Sequence, residues 1–218
     1  MKKVIGVLLA VFLLIFSSNA LAIDLAGKFA FTVKGGMGLP ILDFADKFKV
    51  DANVGYGFGM NGEYFITDKI ALGADFDYNR FSEGSSGYIS LELINFGVFA
   101  KYMILTRANT AFYIKLGSGL YKPKESWEFS YFVDYNSLSY GMKFGFGGGG
   151  GIMFEVSDFI LLSGEVMFQD ALVKEAKSDR KFQIVDDYGD TRIDSIPFKA
   201  DLQYFQIHFG ITLLIGGN

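Results

Sequence analysis

Along eight stretches of this chain, every second residue is large and apolar, and the residues between are small, polar or charged. In one stretch Val54, Tyr56, Phe58 and Met60 share a parity, while Asn53, Gly55, Gly57, Gly59, Asn61 and Glu63 hold the other. The pattern recurs as Leu72, Ala74, Phe76, Tyr78 against Gly73, Asp75, Asp77, and as Phe205, Ile207, Phe209, Ile211, Leu213 against Tyr204, Gln206, His208, Gly210, Thr212. A period of two is that of a β-strand with two unlike faces, not of a helix. The runs cover residues 27–38, 52–66, 69–81, 88–105, 110–122, 140–156, 158–171 and 201–215.

The connections alternate in length. Those at 67–69, 106–109 and 157–158 are tight; those at 39–51, 82–87, 123–139 and 172–200 are long. Short turns on one side and long loops on the other describe an up-and-down barrel in an outer membrane. A soluble barrel buries its large residues and a membrane barrel turns them out. Eight strands enclose a lumen only just wide enough for side chains. Glycines and hydrogen-bonding charges suit that interior, and the aromatic parity suits lipid. The expected fold is therefore all-β: an eight-stranded antiparallel up-and-down transmembrane β-barrel over residues 23–218, both ends on the periplasmic turn side.

The first 22 residues read differently. Lys2 and Lys3 precede a 13-residue apolar core, Val4 to Phe16, and Ala20-Leu21-Ala22 fits a small-x-small cleavage site. That is a secretory signal peptide, too short to span a bilayer. Cleavage would deepen the net charge from −4 to −6. With no cysteine, disulfides, lipid-modified cysteines and thiolate chemistry are excluded. The acidic balance, with no basic stripe, argues against nucleic acid as a partner.

GFGGGGGIMFEV, Gly145 to Val156, contains five consecutive glycines. No helix start or Lys-Ser/Thr follows, as a phosphate loop requires, and both flanks are apolar, unlike a linker. The run is expected inside the sixth strand. Lys143, Gly145, Gly147, Gly149 and Gly151 would then face the lumen, and Phe144, Phe146, Gly148, Gly150 and Ile152 the lipid.

The segments GEYFITDKIALGADFDY, FAKYMILTRANTAFYIKLGSGLY and FEVSDFILLSGEVMF resemble the small outer-membrane β-barrel family, porin-like and of the type of the OmpA transmembrane domain and OmpX. The resemblance implies passage by periplasmic chaperones and barrel-assembly machinery, and membrane lipid as the permanent partner. Two departures stand out: such barrels usually end on an aromatic residue, whereas this chain ends Leu214-Ile215-Gly216-Gly217-Asn218, and no peptidoglycan-binding domain follows the strands.

Candidate functional residues fall in two groups. The lumen parity carries Lys34, Glu63, Asp75, Lys101, Lys115, Glu165 and the single histidine, His208. Charges in a narrow interior are expected to pair. Glu63 and Lys101 lie at shallow depth from the turns; Lys34, Asp75, Lys115 and Glu165 lie near the middle, with Glu165 and Lys115 the expected pair. The second group is Trp127, Phe129, Tyr131 and Tyr135 in the third long loop, a candidate surface for an extracellular protein or other surface ligand. The fourth, Lys174 to Asp201, carries 13 charged residues and reads as a solvated loop. His208 has no hydroxyl in reach along its strand, Thr212 being too distant for a triad, and one histidine makes a poor metal site. No catalytic residue, metal or cofactor is expected. Three functions compete: a structural or surface-interaction barrel with its lumen plugged by charged pairs, a small low-conductance pore, and a lipid-modifying enzyme.

Overall fold

The computed structural model describes residues 23, 25–42, 54–82, 89–107, 109–127, 137–185, 191–198 and 201–216. Their strands are β1 (Phe29–Pro40), β2 (Gly55–Thr67), β3 (Ile70–Ser82), β4 (Ile89–Arg107), β5 (Thr110–Trp127), β6 (Ser137–Ser139), β7 (Lys143–Ser157), β8 (Ile160–Ala171), β9 (Lys177–Val185), β10 (Thr191–Pro197) and β11 (Leu202–Ile215). Eight of them, β1, β2, β3, β4, β5, β7, β8 and β11, pair antiparallel with their neighbours, and β1–β11 and β4–β5 complete the ring. Closure removes every exposed edge from the barrel wall, which a lipid environment demands. Among the described residues no helix is long and apolar enough to cross a membrane.

The tight hairpins share a construction. Each of the three carries a register shift on its turn side, at Phe65/Thr67, Met103/Leu105 and Glu155/Ser157. In the first, Thr67 Oγ1 accepts the amides of Lys69 (3.2 Å) and Ile70 (3.1 Å), so a side chain closes the turn. At the other end β4 and β5, 19 and 18 residues long, run on as a ribbon to Ile89 and Trp127. A membrane crossing needs only ~9–11 residues.

The two parities lie where the alternation predicts. Phe58, Phe96, Leu116, Leu162, Phe209 and Ile211 are exposed on the outside, while Asn61, Glu63, Asp77, Lys101, Lys115, Gln206 and His208 are buried within. An apolar exterior around a charged interior is a membrane barrel turned toward lipid.

Three features depart from expectation. First, the lumen is not only small and charged. An apolar cluster at the turn side gathers Ile23, Leu25, Phe65, Met103, Tyr113, Met153 and Leu161. A second at the loop side gathers Phe81, Leu93, Tyr121, Tyr140, Val173, Phe198 and Tyr204. Second, the charged segment after β8 is not simply a solvated loop. It forms the β9–β10 hairpin, and its base turns inward, burying Val173, Ala176 and Phe198 in the loop-side cluster. Third, Lys143, expected in the lumen, is exposed at the start of β7.

The five consecutive glycines, 147–151, lie within β7, and crowding in the lumen explains the three that face it, Gly147, Gly149 and Gly151. A Cβ at Gly151 would sit 2.5 Å from the Tyr113 hydroxyl, and one at Gly149 2.8 Å from the Met167 backbone; Gly145, just before the run, is likewise hemmed in by the Tyr121 ring at 2.5 Å. Those distances are clashes. The inner face of β7 is bare because β5 and β8 fill its space: Tyr121 and Tyr113 from β5 lie over Gly145 and Gly151, and Gln169 and the backbone of β8 crowd Gly147 and Gly149.

Candidate functional site

Between the two apolar clusters lies a layer of charge, placed by the register. Lys34 on β1 stands opposite Gly59 on β2, and Gly59 stands opposite Asp77 on β3. With no side chain between them, Lys34 Nζ reaches Asp77 Oδ1 at 2.9 Å, an ion pair not aligned for a hydrogen bond. In the other direction Lys34 Nζ donates to Glu165 Oε1 on β8 at 3.0 Å. The same device serves Tyr113 on β5. It faces Gly151 on β7, which faces Glu165, and its hydroxyl donates to Glu165 Oε2 at 3.3 Å.

The remaining lysines complete the layer. Lys115 Nζ lies 3.3 Å from Asp75 Oδ2 and 3.7 Å from Glu165 Oε2, and 4.2 Å over the Phe99 ring. Lys101 Nζ donates to Glu63 Oε1 at 2.6 Å, and sits 4.5 Å over the Tyr113 ring. Both ammonium groups thus have a carboxylate and an aromatic face, the two partners a buried cation can use. Toward the loop side the charges give way to an amide chain. Tyr121 Oη donates to Gln169 Oε1 (2.7 Å), Gln169 Nε2 to Gln206 Oε1 (3.3 Å), and Gln206 Nε2 to Asn79 Oδ1 (3.0 Å).

The structure therefore brings all seven expected lumen residues into one interior. Glu165 is its hub, in contact with Lys34, Lys115, Tyr113 and His208. The expected Glu165–Lys115 pair exists, but Lys34 is the nearer partner. Asp77 completes the Lys34 site; its lumen parity signalled it. Tyr113 and Tyr121 were hidden because parity alone gives no sign that glycines opposite would admit them.

His208 is 1% exposed, and its Nδ1 lies 3.6 Å from Glu165 Oε1. Neither ring nitrogen has a hydrogen-bond partner among the described residues. Thr212, the hydroxyl on its own strand, is bonded instead to Thr32 Oγ1 at 2.8 Å. His208, Glu165 and Ser163 line a common cavity, but it holds only about 10 Å³. That is about the space of one water and far below a substrate pocket. A second cavity of about 10 Å³ lies beside Asp75, Lys115 and Gln169. Among the described residues no group of three or more His, Cys, Asp or Glu side chains is arranged to hold a metal.

The turn-side end is closed by the segment before β1. Ile23 and Leu25 are buried under the barrel. Asp68, in the β2–β3 turn, accepts the amides of Leu25 (3.0 Å) and Ala26 (2.9 Å), and Gly27 donates to the Phe65 carbonyl (2.9 Å). The amides of Ala26 and Leu25 hold the Asp68 carboxyl below its ordinary range. Of the loop aromatics, Trp127 ends β5; Phe129, Tyr131 and Tyr135 lie outside the described residues.

No family model matches the chain, and no curated protein matches it. Solved structures do. Neisserial surface protein A superposes with a TM-score of 0.57 at 13% identity, over 86% of this chain and 98% of that one. The outer membrane protein OprG from Pseudomonas aeruginosa gives 0.54 at 13%, over 89% and 98%. The outer membrane protein AlkL, solved in lipid bilayers, gives 0.52 at 10%, over 92% and 95%.

The fold is that of the small outer-membrane barrels. At such identities the likeness is one of fold. A barrel of this fold with this apolar exterior is a protein of the bacterial outer membrane.

Proposed function

We propose that this outer-membrane barrel is a structural and surface-presenting protein, its lumen plugged rather than open. The observation that carries the reading is the Lys34 ion pair to Asp77 and Glu165, buried between apolar clusters at both ends. An ion crossing this interior would have to break pairs that cost several kcal/mol to leave uncompensated, and then cross an apolar layer. The working parts are then the loop-side elements: the β4–β5 ribbon, β6 and the β9–β10 hairpin, which together meet an extracellular partner. A non-catalytic role accords with the size of the cavity around His208.

A second reading has its own support. The two polar cavities, beside His208 and beside Asp75, lie within the charged layer, so a rearrangement of the Glu165 pairs would join them into a narrow, low-conductance path. Ionic conductance of the refolded barrel in a planar bilayer decides between the readings: a silent bilayer supports the plug, and steady single-channel steps support the pore.

A further inference from the structure

Asp75 and Asn95 bring two oxygens over one bare stretch of the inner wall. Asp75 on β3 stands opposite Gly97 on β4, two residues from Asn95 on the same inward face. A Cβ at Gly97 would meet Asp75 Oδ1 at 2.6 Å and Asn95 Oδ1 at 3.7 Å. Both residues line the cavity of about 10 Å³ described above, together with Gln169 and Tyr121. Asn95 is 4% exposed, and its Oδ1 has no hydrogen-bond partner among the described residues. A buried amide oxygen left alone is destabilising, so its partner is a donor or a cation that the cavity admits. The space is that of one water, or of one alkali cation stripped of its hydration shell.

Charge decides between the two. His208 apart, the charged layer holds the lysines Lys34, Lys101 and Lys115 against the carboxylates of Glu63, Asp75, Asp77 and Glu165. Lys101 is matched to Glu63 at 2.6 Å. Lys34 then serves Asp77 at 2.9 Å and Glu165 at 3.0 Å. Asp75 is left with Lys115, which approaches Oδ2 at 3.3 Å and is shared with Glu165 at 3.7 Å. The layer is one positive charge short, and the deficit falls at Asp75, where the cavity lies. A carboxylate in so enclosed a place calls for compensation. We propose that the cavity between Asp75, Asn95 and Gln169 binds one alkali cation, Na⁺ or K⁺, as the fourth positive charge of the layer. Calcium takes more oxygen ligands than these side chains supply, and magnesium keeps waters for which there is no room. Either divalent ion would also exceed the deficit.

The site adds an ion to the plug, and the two can fail separately: conductance reports on the plug, and cation-linked stability on the site. Urea unfolding of the refolded barrel is followed in a zwitterionic detergent while K⁺, or Na⁺, replaces N-methylglucamine at fixed ionic strength. N-methylglucamine is far too large for the cavity, so only the alkali cation can fill it. A ligand held by the folded state alone lowers the unfolding constant, approaching tenfold for each tenfold rise in concentration once the site fills. That dependence is the expected result for at least one of the two ions. Asn95→Leu, which removes the orphan oxygen, is expected to abolish it. Asn95→Asp, which adds a charge at the same place, is expected to move its onset to lower concentration, and decides alone if the leucine variant does not refold. An unfolding constant indifferent to both ions would leave water in the cavity and the fourth charge to a proton on His208, and would overturn the proposal. Full dependence surviving in Asn95→Leu, or an onset unmoved in Asn95→Asp, would overturn it as well.

Discussion

Tyr113 on β5 donates a hydrogen bond to Glu165 on β8, 3.3 Å away, across the bare backbone of Gly151. The contact spans an entire strand because that strand has no side chain at the crossing point. A methyl group at Gly151 would meet the Tyr113 hydroxyl at 2.5 Å. Gly151→Ala is therefore expected to displace Tyr113 and destabilise the barrel by about 1–3 kcal/mol, as overpacking does. Pairing it with Tyr113→Leu, which removes both the hydroxyl and the ring carbon Cζ that the methyl would also meet at 2.5 Å, recovers part of the loss. Urea unfolding in detergent measures both; an unperturbed Gly151→Ala barrel would contradict this account of the glycine run.

Glu165 has two lysine partners, and geometry ranks them: Lys34 at 3.0 Å, Lys115 at 3.7 Å. Glu165→Gln leaves both less compensated, at a cost of about 3–5 kcal/mol where the site is desolvated. Double-mutant cycles with Lys34→Met and Lys115→Met are expected to give the larger coupling energy for Lys34. Equal couplings, or none, would show that the charged layer is not organised around the nearer pair.

How much of this could be read from the chain depends on which rule placed the residue. Parity alone put Lys34, Asp75, Lys101, Lys115, Glu165 and His208 inside, because a strand has only two faces. It could not rank Lys34 above Lys115 as the partner of Glu165. That ranking depends on register across β11, where Lys34 stands opposite Gly210 and Glu165 opposite His208, and across β7, where Lys115 stands opposite Gly149. Nor could it show that Val173 and Phe198, embedded in a charged segment, fold into the mouth of the barrel. Their burial depends on Leu138, Tyr140 and Tyr204, which are distant in sequence. The turn-side seal was hidden for another reason: Ile23 and Leu25 precede the first alternating strand and carry no period.

That seal is expected to respond to pH. Two backbone amides hold the Asp68 carboxyl below its ordinary range, so the charged form stabilises the closed segment. The contribution is present above the unfolded pKa of ~4 and is lost as pH falls through the lower folded value. The chain has no native cysteine, so Met153→Cys, under the seal, gives a clean reporter. Its labelling by a water-soluble thiol reagent that works in acid is expected to rise below about pH 4. In an Asp68→Ala background it is expected to be fast at neutral pH. A label rate indifferent to both would remove Asp68 from the closure.

The outward face has a direct test of its own. Phe96 is 52% exposed in the middle of β4, next to Phe76, with ring centroids 4.9 Å apart. Phe96→Arg is expected to cost about 2–4 kcal/mol of folding into bilayers, with the largest effect at the midplane. Leu93→Ala, which removes an inward residue of the loop-side cluster, acts instead through cavity formation and is expected to leave insertion intact. If Phe96→Arg folds into bilayers as well as the parent chain, the two faces have been exchanged.

The central claim is that paired charges and two apolar layers close the lumen, and single-channel recording of the refolded barrel in a planar bilayer tests it most directly. The native chain is expected to show no resolved conductance, and measurable steps are expected after the joint change of Lys34→Met and Glu165→Gln with Leu25→Ser and Leu93→Ser, which breaches both apolar layers. Regular, voltage-stable openings of the native barrel would contradict it and establish the lumen as a pore.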